Sequence, residues 1–544
     1  MKTEVNKKYL FWVIAFSLPL ALAVGSITYY ATSWGPVAYS DSVSYLMSAR
    51  NLLDGNGLGI IYGDGKFNPM TDHPPLYTFL LAFGGLFKFS LIDVARWIGI
   101  IGSGFTVLGI GFASYILTRR ISFSFMITLF WASPPLIIIS LFSLAMSEVL
   151  LYPLLLSSLF LTLLFIEKGQ KWQLVLGAIL AGLASVTHVV AIPFIITSVI
   201  GILFLSDAKL TKRVKNSIYY GFLSLSIVAI WFGYIGFIDR SLAGRVLVFK
   251  GGWWQYLAPF RAALISFSWS KLPILNLLNI NNYNTQKTIL LILFLVMAAL
   301  VFITVVKKIK HGEEINRDFF FRWGVFFGLG VVFFLLYLTV IYLFVTPAQG
   351  IQIPQFPFND RIFSYIYFGT AFSLFGFIYF IAGSHSVLRW CKVVPILCII
   401  GLFVKFAPIS VEDIRSLHAD GRGYLSKDWV TSPVLKALNE LPLETAIVTN
   451  EADAVLLLTK RRPYVILETQ TGTPVTVFTR FGDGNTESDI VFREDRAALV
   501  LFPSIHNQFF TIYGDLGERR LYAFIDNLVN YKNCGNDSGI YYYK

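Results

Sequence analysis

Charged residues are scarce in this chain. Only 14% of its 544 residues are Asp, Glu, Lys or Arg, whereas 56% are hydrophobic. Soluble globular domains carry about 25% charged residues, so the composition excludes an ordinary soluble protein. Cysteine is scarce too. Cys391 and Cys398 fall in an apolar stretch and Cys534 lies near the C-terminus, so no disulfide framework is indicated.

The sequence also lacks the signatures of several enzyme classes. It has no Gly-rich phosphate loop, no Ser-His-Asp signature, no cysteine zinc signature and no convincing long repeat. The informative features are therefore the apolar runs and the polar stretches between them.

Apolar runs dominate the chain up to about residue 410. A membrane-spanning helix needs about 20 apolar residues, and the sequence predicts eleven such helices. The N-terminal run continues to Tyr30 without a small-residue cleavage pattern, which indicates a retained anchor. The predicted spans cover residues 9–31, 92–118, 121–143, 149–166, 172–188, 189–206, 217–238, 287–306, 319–345, 362–383 and 391–409.

The net charge of +12 is unevenly distributed. Residues 411–544 hold 14 Lys and Arg against 18 Asp and Glu, so the positive excess belongs to the apolar part. Loop orientation and lipid phosphates explain that excess, and no nucleic-acid partner is needed. The basic clusters between spans are Arg119–Arg120, Lys168 with Lys171, 209–215, 307–310, and Arg389 with Lys392.

The apolar segment 74–90 decides the topology. If it lies along the outer surface, every basic cluster falls in a cytoplasmic turn, as the positive-inside rule requires. If it spans, several clusters fall outside, so we reject it as a span. The sequence therefore predicts a multi-pass protein of the plasma (inner) membrane, with a cytoplasmic N-terminus and an extracytoplasmic C-terminal domain.

The polar stretch Tyr39–Tyr77 follows the first predicted span and concentrates ionisable residues beside the membrane. Its first half predicts an amphipathic helix that Ser40 caps and that ends before Gly55. Asp41 lies in the predicted first turn, where free N–H groups and the helix dipole favour a carboxylate that can act as a base or a metal ligand. The alternative is that Asp41 only helps to cap the helix.

The predicted outer side carries further candidates. Two prolines end the polar stretch and hold Asp72 and His73 in extended backbone. Glu148 lies between two apolar spans, where an acid is costly unless it is functional or paired; the alternative is a carboxylate at the water interface. The remaining candidates, at span ends or in outer loops, are Arg96, His188, Arg245 and Arg361. Arginine matches phosphate oxygens with its fork of donors, although some arginines serve only as interfacial anchors.

Asp41, followed by the sequence HPPLY at positions 73–77, resembles the pattern of membrane glycosyltransferases of the GT-C class. Protein O-mannosyltransferases and lipid A aminoarabinose transferases are the similar families. The resemblance implies a sugar carried on polyprenyl phosphate, transfer to an acceptor outside the cytoplasm, and inversion at the anomeric centre. It implies that Asp41 is the catalytic base and that Glu148 corresponds to the acidic residue of the second outer loop.

The resemblance also implies binding roles for the cationic candidates. Arg96 and Arg361 match arginines that open the second span and a late span in the class, and they are expected to bind the donor phosphate. Arg245 lies in the long loop where the class has a mobile segment that contacts the lipid. His188 follows Thr187 at a place where related sequences have Thr-Arg or Thr-Lys.

A divalent metal is left open by the same resemblance. Asp72 and His73 occupy the place of a Glu-Lys pair in the aminoarabinose transferases, and that pair is associated with metal and phosphate respectively. Asp72 and Asp41 are therefore the candidate metal ligands. His73 stands where that family has lysine, so an imidazole replaces a permanently charged side chain at this position.

From about Val411 the composition changes to a soluble pattern. The stretches AIVTN, YVIL and AALVLF predict strands, and SPVLKALNEL predicts a helix. We therefore predict a polytopic α-helical membrane protein with about eleven spans, with a GT-C-like domain at 1–410 and a small α/β domain at 411–544. The predicted function is glycosyl transfer to a protein, lipid or glycan acceptor. The alternatives are a transporter or flippase, and a non-catalytic protein of envelope assembly.

Overall fold

A computed structural model describes residues 7–132, 135–239, 393–459 and 461–465, residue 491, most of 497–543, and scattered positions between 280 and 336. Its helices from residue 7 to residue 239 are α1 (Lys7–Ala31), α2 (Ser40–Leu53), α3 (Leu76–Leu86), α4 (Leu91–Thr118), α5 (Ile121–Ala132), α6 (Pro135–Phe142), α7 (Glu148–Lys168), α8 (Lys171–Ser185), α9 (Ile192–Leu205) and α10 (Leu210–Asp239). Between α2 and α3, β1 (Gly59–Ile61) pairs antiparallel with β2 (Phe67–Pro69).

Four helices in the described ranges are long and apolar enough to cross a membrane. They are Lys8–Ala31, Leu91–Thr118, Glu148–Lys168 and Leu210–Ile238, and each overlaps a predicted span. The spans predicted at 172–188 and 189–206 overlap the shorter apolar helices α8 and α9. The spans predicted at 287–306, 319–345 and 362–383 lie almost wholly outside the described residues.

Two apolar segments contain short helices within the described ranges. In the segment predicted as one span at 121–143, the structure describes α5 as far as Ala132 and α6 from Pro135. Proline is favoured at a first helical position, where its missing N–H costs nothing. α3 has 11 residues, which makes it about 16 Å long, well short of the about 30 Å of a bilayer core. Its length agrees with the prediction that segment 74–90 does not span.

Small residues on α4 set the position of the chain that leads into α7. A Cβ on Gly99 would overlap the carbonyl oxygen of Phe142, and one on Gly102 would overlap that of Val149. Glycine therefore lets the two backbones approach closely, as is common between helices in membranes. This contact fixes the first turn of α7 and with it Glu148.

The C-terminal part combines helices with a five-stranded sheet. Its elements are α11 (Val393–Asp420), α12 (Lys427–Val430), α13 (Pro433–Glu440), β3 (Ile447–Thr449), α14 (Ala452–Leu458), β4 (Tyr464–Val465), β5 (Ala498–Leu501), α15 (Ile505–Tyr513), β6 (Leu528–Gly535) and β7 (Ser538–Tyr543). The strand order is β4-β3-β5-β7-β6. β3 is parallel to β4 and β5, whereas β7 is antiparallel to β5 and β6.

Alternation along β5 distributes the apolar side chains over both faces of the sheet. Ala498 and Val500 join one buried cluster, which includes residues of α13. Leu499 and Leu501 join another, which includes residues of α15. The stretches AIVTN, YVIL and AALVLF each contain a strand, and SPVLKALNEL contains α13. The domain boundary at residue 410 falls within α11 and remains a prediction.

Candidate active site

α2 presents Asp41 in its first turn, as predicted. The prediction that Ser40 caps this helix is wrong. Tyr39, with φ of −124°, is the N-cap residue, and its backbone N–H donates to the Ser42 hydroxyl at 3.1 Å. Ser40 is instead the first helical residue, and its side chain hydrogen-bonds Asp453 of the C-terminal part. The Asp41 side chain is 38% exposed, so it is accessible to a substrate.

His73 lies between two carboxylates. Its Nε2 is 3.8 Å from Asp41 Oδ1 and 3.4 Å from Asp72 Oδ2. The imidazole is mostly buried, and its ring lies 5.1 Å from the ring of Tyr45. Three predicted site residues therefore lie together, and His73 is placed to orient Asp41.

Glu148 lies close to this group through hydrogen bonds from α2. The Tyr45 hydroxyl donates to Ser147 Oγ at 3.1 Å, and Ser147 Oγ donates to Glu148 Oε2 at 3.5 Å. Glu148 is only 3% exposed. His188 Nε2 is 3.9 Å from Glu148 Oε1, and His188 Nδ1 accepts from the backbone N–H of Val190 at 3.3 Å. Because Nδ1 accepts, the neutral imidazole carries its proton on Nε2, which faces Glu148.

Backbone hydrogen bonds hold these segments together. Val37 N–H donates to Ser143 at 2.7 Å, and Ala145 N–H returns a bond to Val37 at 2.9 Å. Leu76 N–H donates to Val186 at 3.1 Å. Val37, two residues before the polar stretch Tyr39–Tyr77, is thus fixed to the chain before Glu148, and the end of that stretch is fixed to the chain before His188. The side chains of five predicted site residues (Asp41, Asp72, His73, Glu148, His188) are positioned by this framework.

The predicted arginines are placed differently. Arg96 Nε donates to Thr32 Oγ1 at 3.1 Å and one terminal nitrogen donates to the Tyr29 carbonyl at 2.9 Å. Its guanidinium also lies 4.4 Å from the centre of the Tyr29 ring. These contacts hold Arg96 against α1, so its role with phosphate remains a prediction. Arg245 and Arg361 lie outside the described residues.

Two carboxyl groups at the start of α14 adjoin the site, those of Asp453 in its first turn and of Glu451, its N-cap residue. The Tyr62 hydroxyl donates to Asp453 Oδ1 at 3.3 Å, and the Tyr424 hydroxyl donates to Glu451 Oε2 at 3.2 Å. Burial raises the pKa of Asp453, and the charge of Asp41 raises it further against the hydrogen bonds. Burial likewise raises the pKa of Glu451. The C-terminal part therefore contributes acidic groups beside the helix that carries Asp41.

Sequence reasoning missed these two acids. Glu451 and Asp453 open a helix, where acidic residues are common because they complement the helix dipole. The nearby Tyr45 was also missed, since a buried aromatic residue in an apolar chain carries no distinctive signal. Tyr77 ends the HPPLY motif, but sequence reasoning assigned it no role of its own. The Tyr77 hydroxyl is fully buried and has no hydrogen-bond partner among the residues that the structure describes.

A metal site at Asp41 and Asp72 stays a prediction. Within the described ranges, no group of three or more His, Cys, Asp or Glu side chains is arranged to hold a metal ion. The imidazole of His73 lies between the two predicted ligands and pairs with both. No step below depends on a metal.

Comparison with solved structures identifies the fold. The crystal structure of ArnT from Cupriavidus metallidurans in the apo state aligns with a TM-score of 0.51, at 12% identity over 96% of both chains. ArnT is a lipid A aminoarabinose transferase of the GT-C class. The overall fold is therefore that of a GT-C membrane glycosyltransferase, which confirms the resemblance seen in the sequence at the level of the fold.

Two further structures align less well. ArnT from C. metallidurans bound to undecaprenyl phosphate gives a TM-score of 0.48 at 11% identity, over 93% of this chain and 95% of that chain. The Archaeoglobus fulgidus oligosaccharyltransferase, tethered to an acceptor peptide, gives 0.45 at 12% identity, over 96% and 72% respectively. No family model and no curated protein matches the sequence.

Proposed function

We propose that this protein is a glycosyltransferase that moves a sugar from a polyprenyl-phosphate carrier to an acceptor on the extracytoplasmic side. The observation that carries the proposal is the placement of Asp41, at a helix N-terminus and partly exposed, against the His73 imidazole. The fold supports the same class, since it is shared with a GT-C enzyme. The sequence pattern of Asp41 and HPPLY points to this class independently.

The proposed reaction uses Asp41 as the base. Asp41 takes the proton of the acceptor nucleophile as that atom bonds to the anomeric carbon. The bond from the anomeric carbon to the phosphate oxygen breaks on the opposite face, so the sugar inverts and polyprenyl phosphate leaves. His73, held between Asp41 and Asp72, orients the carboxylate of the base. Arg96, Arg245 and Arg361 remain the predicted partners of the phosphate.

The proposed orientation places this chemistry outside. α7 has 21 residues and is about 31 Å long, close to the about 30 Å of a bilayer core. Glu148 begins this helix and Lys168 ends it. The candidate site and a basic turn therefore lie at opposite ends of one span, so the positive-inside rule puts the site outside the cytoplasm. Nucleotide sugars are made in the cytoplasm, which favours a lipid-linked donor.

The position of the buried acid argues against the transporter alternative. Charges in a transport pathway are expected in the middle of spans, whereas Glu148 is the first residue of α7. The assembly alternative predicts that Asp41 can be replaced without loss, and it is tested by the same variant as the base.

The donor class is testable with purified protein in liposomes. We expect transfer from a sugar on polyprenyl monophosphate, and we expect Arg361→Ala to weaken donor use more than acceptor use. Transfer from a soluble nucleotide sugar, with none from any lipid-linked sugar tested, would refute the proposal. The orientation is testable separately, since a reporter active only outside the cytoplasm should give signal when fused to the C-terminus and none when fused at residue 120.

A further inference from the structure

A cleft lies between α2 and the chain that ends and follows α14. Its volume is about 560 Å³, within the range of about 300–1,000 Å³ that ligand pockets occupy. The polar residues that line it are Arg50, Asn51, Asp54, Thr459, Arg461 and Arg462. The space is therefore larger than a single ion needs, and its polar lining is rich in arginine.

This cleft is separate from the candidate active site. Arg50 of α2 and Asp54, the C-cap residue that follows this helix, are four residues apart and share one face. Asp41 precedes Arg50 by nine residues, which corresponds to about 13 Å along the helix and half a turn around it. The cleft therefore opens on the opposite face of α2 from Asp41.

The three arginines have different environments. Arg461 is buried and donates to the backbone carbonyls of Leu441 and Pro442, the latter at 2.8 Å. Arg50 and Arg462 are exposed, and neither forms an ion pair with any residue in the described part of the chain. Arg461 thus has a structural role, while the other two guanidinium groups have donors available at the cleft.

The charge balance of the lining indicates an anion. Among the described residues that line the cleft, three are arginines and one, Asp54, carries a carboxylate. Like charges gathered in one cleft repel each other, and a bound anion removes that repulsion. A guanidinium presents a planar fork of N–H donors that matches the oxygens of phosphate.

We propose that this cleft binds a phosphate group, carried either by a soluble compound or by a lipid headgroup. The phosphate oxygens accept hydrogen bonds from Arg50 and Arg462, and Arg461 adds positive charge from the buried side. This binding does not depend on the proposed transfer reaction, because none of the lining residues belongs to the candidate active site.

The test measures binding to the full-length protein in detergent. One probe is inorganic pyrophosphate, and the other is short-chain phosphatidic acid, with short-chain phosphatidylcholine as its neutral counterpart. Arg50→Gln/Arg462→Gln removes the two available guanidinium groups. Lys66→Gln/Arg422→Gln removes two exposed charges that pair with Asp64 and Asp413 outside the cleft, and serves as the matched control.

We expect saturable binding of at least one probe. A charge-assisted hydrogen bond is worth roughly tenfold in affinity, so the cleft double variant should raise Kd about 100-fold while the control changes it less than about twofold. Binding of pyrophosphate assigns a soluble ligand, and binding of phosphatidic acid alone assigns a lipid headgroup.

Two outcomes would overturn the proposal: neither probe binds, or the cleft variant binds as tightly as the parent. Thermal unfolding without ligand shows whether the double variant is folded. If it is not, Arg462→Gln alone decides, because its exposed side chain makes no described ion pair, and an unchanged Kd in that variant refutes the site. Since binding depends on exposed charges, Kd should also rise with salt.

Discussion

The contact between α14 and α2 is expected to weaken as pH rises. Burial is the main cause that raises the pKa of Asp453, and the charge of Asp41 adds to it. A carboxyl group whose pKa is raised by folding contributes its full stability below its unfolded pKa, about 3.9 for Asp, and loses it as pH rises through the folded value. If a proton is bound only while α14 is packed against α2, the free energy of that packing changes by about 1.4 kcal/mol per pH unit.

Asp453→Asn tests this reasoning, because the amide oxygen can still accept from Tyr62 while the titration is removed. The measurement is amide hydrogen exchange of residues 452–458, expressed as protection factors so that the intrinsic pH dependence of exchange is removed. These protection factors should fall by up to about tenfold per pH unit from about pH 4 upward. The variant should show a smaller slope, with Glu451 supplying the remainder. Asp428→Asn, an exposed acid on α12, should keep the parental slope. Equal slopes in the parent and in Asp453→Asn would refute the reasoning.

Three substitutions test the packing around the site. Tyr77→Phe should leave thermal stability unchanged, because the lost hydroxyl has no partner among the described residues; a loss above about 1 kcal/mol would contradict this. Tyr45→Phe should cost about 0.5–1.5 kcal/mol in denaturant unfolding, because it removes the bond to Ser147; no loss would show that the bond is not formed. Gly102→Ala should cost about 1–3 kcal/mol and lower transfer, because its Cβ displaces Val149; parental stability and transfer would disprove the close approach.

The sequence predicts those parts of the site that depend on local pattern. A polar stretch after an apolar span, with apolar residues at helical spacing, correctly predicts α2 and the place of Asp41 in its first turn. Apolar run lengths correctly predict the span that begins near Glu148. These features follow from the period of the helix and the thickness of the bilayer, and both can be read along the chain.

Contacts between distant segments could not be predicted in this way. Asp453 meets Tyr62 although 391 positions separate them, because the C-terminal part packs onto the first polar stretch. The contacts of Arg96 with α1 depend on how two helices cross, so its type and position suggested only a phosphate ligand or an anchor. Ser40 has the residue type of a cap, but its hydroxyl bonds Asp453 instead.

The most direct test of the proposed function is the transfer rate of Asp41→Asn with a polyprenyl-phosphate-linked sugar in liposomes. The amide keeps the shape of the side chain and removes the base, so the rate should fall by about 10² to 10⁴, with thermal unfolding unchanged. Asp93→Asn, which removes an exposed carboxylate from the first turn of α4, should transfer at the parental rate. A rate for folded Asp41→Asn within a few-fold of the parent would contradict the assignment of Asp41 as the catalytic base.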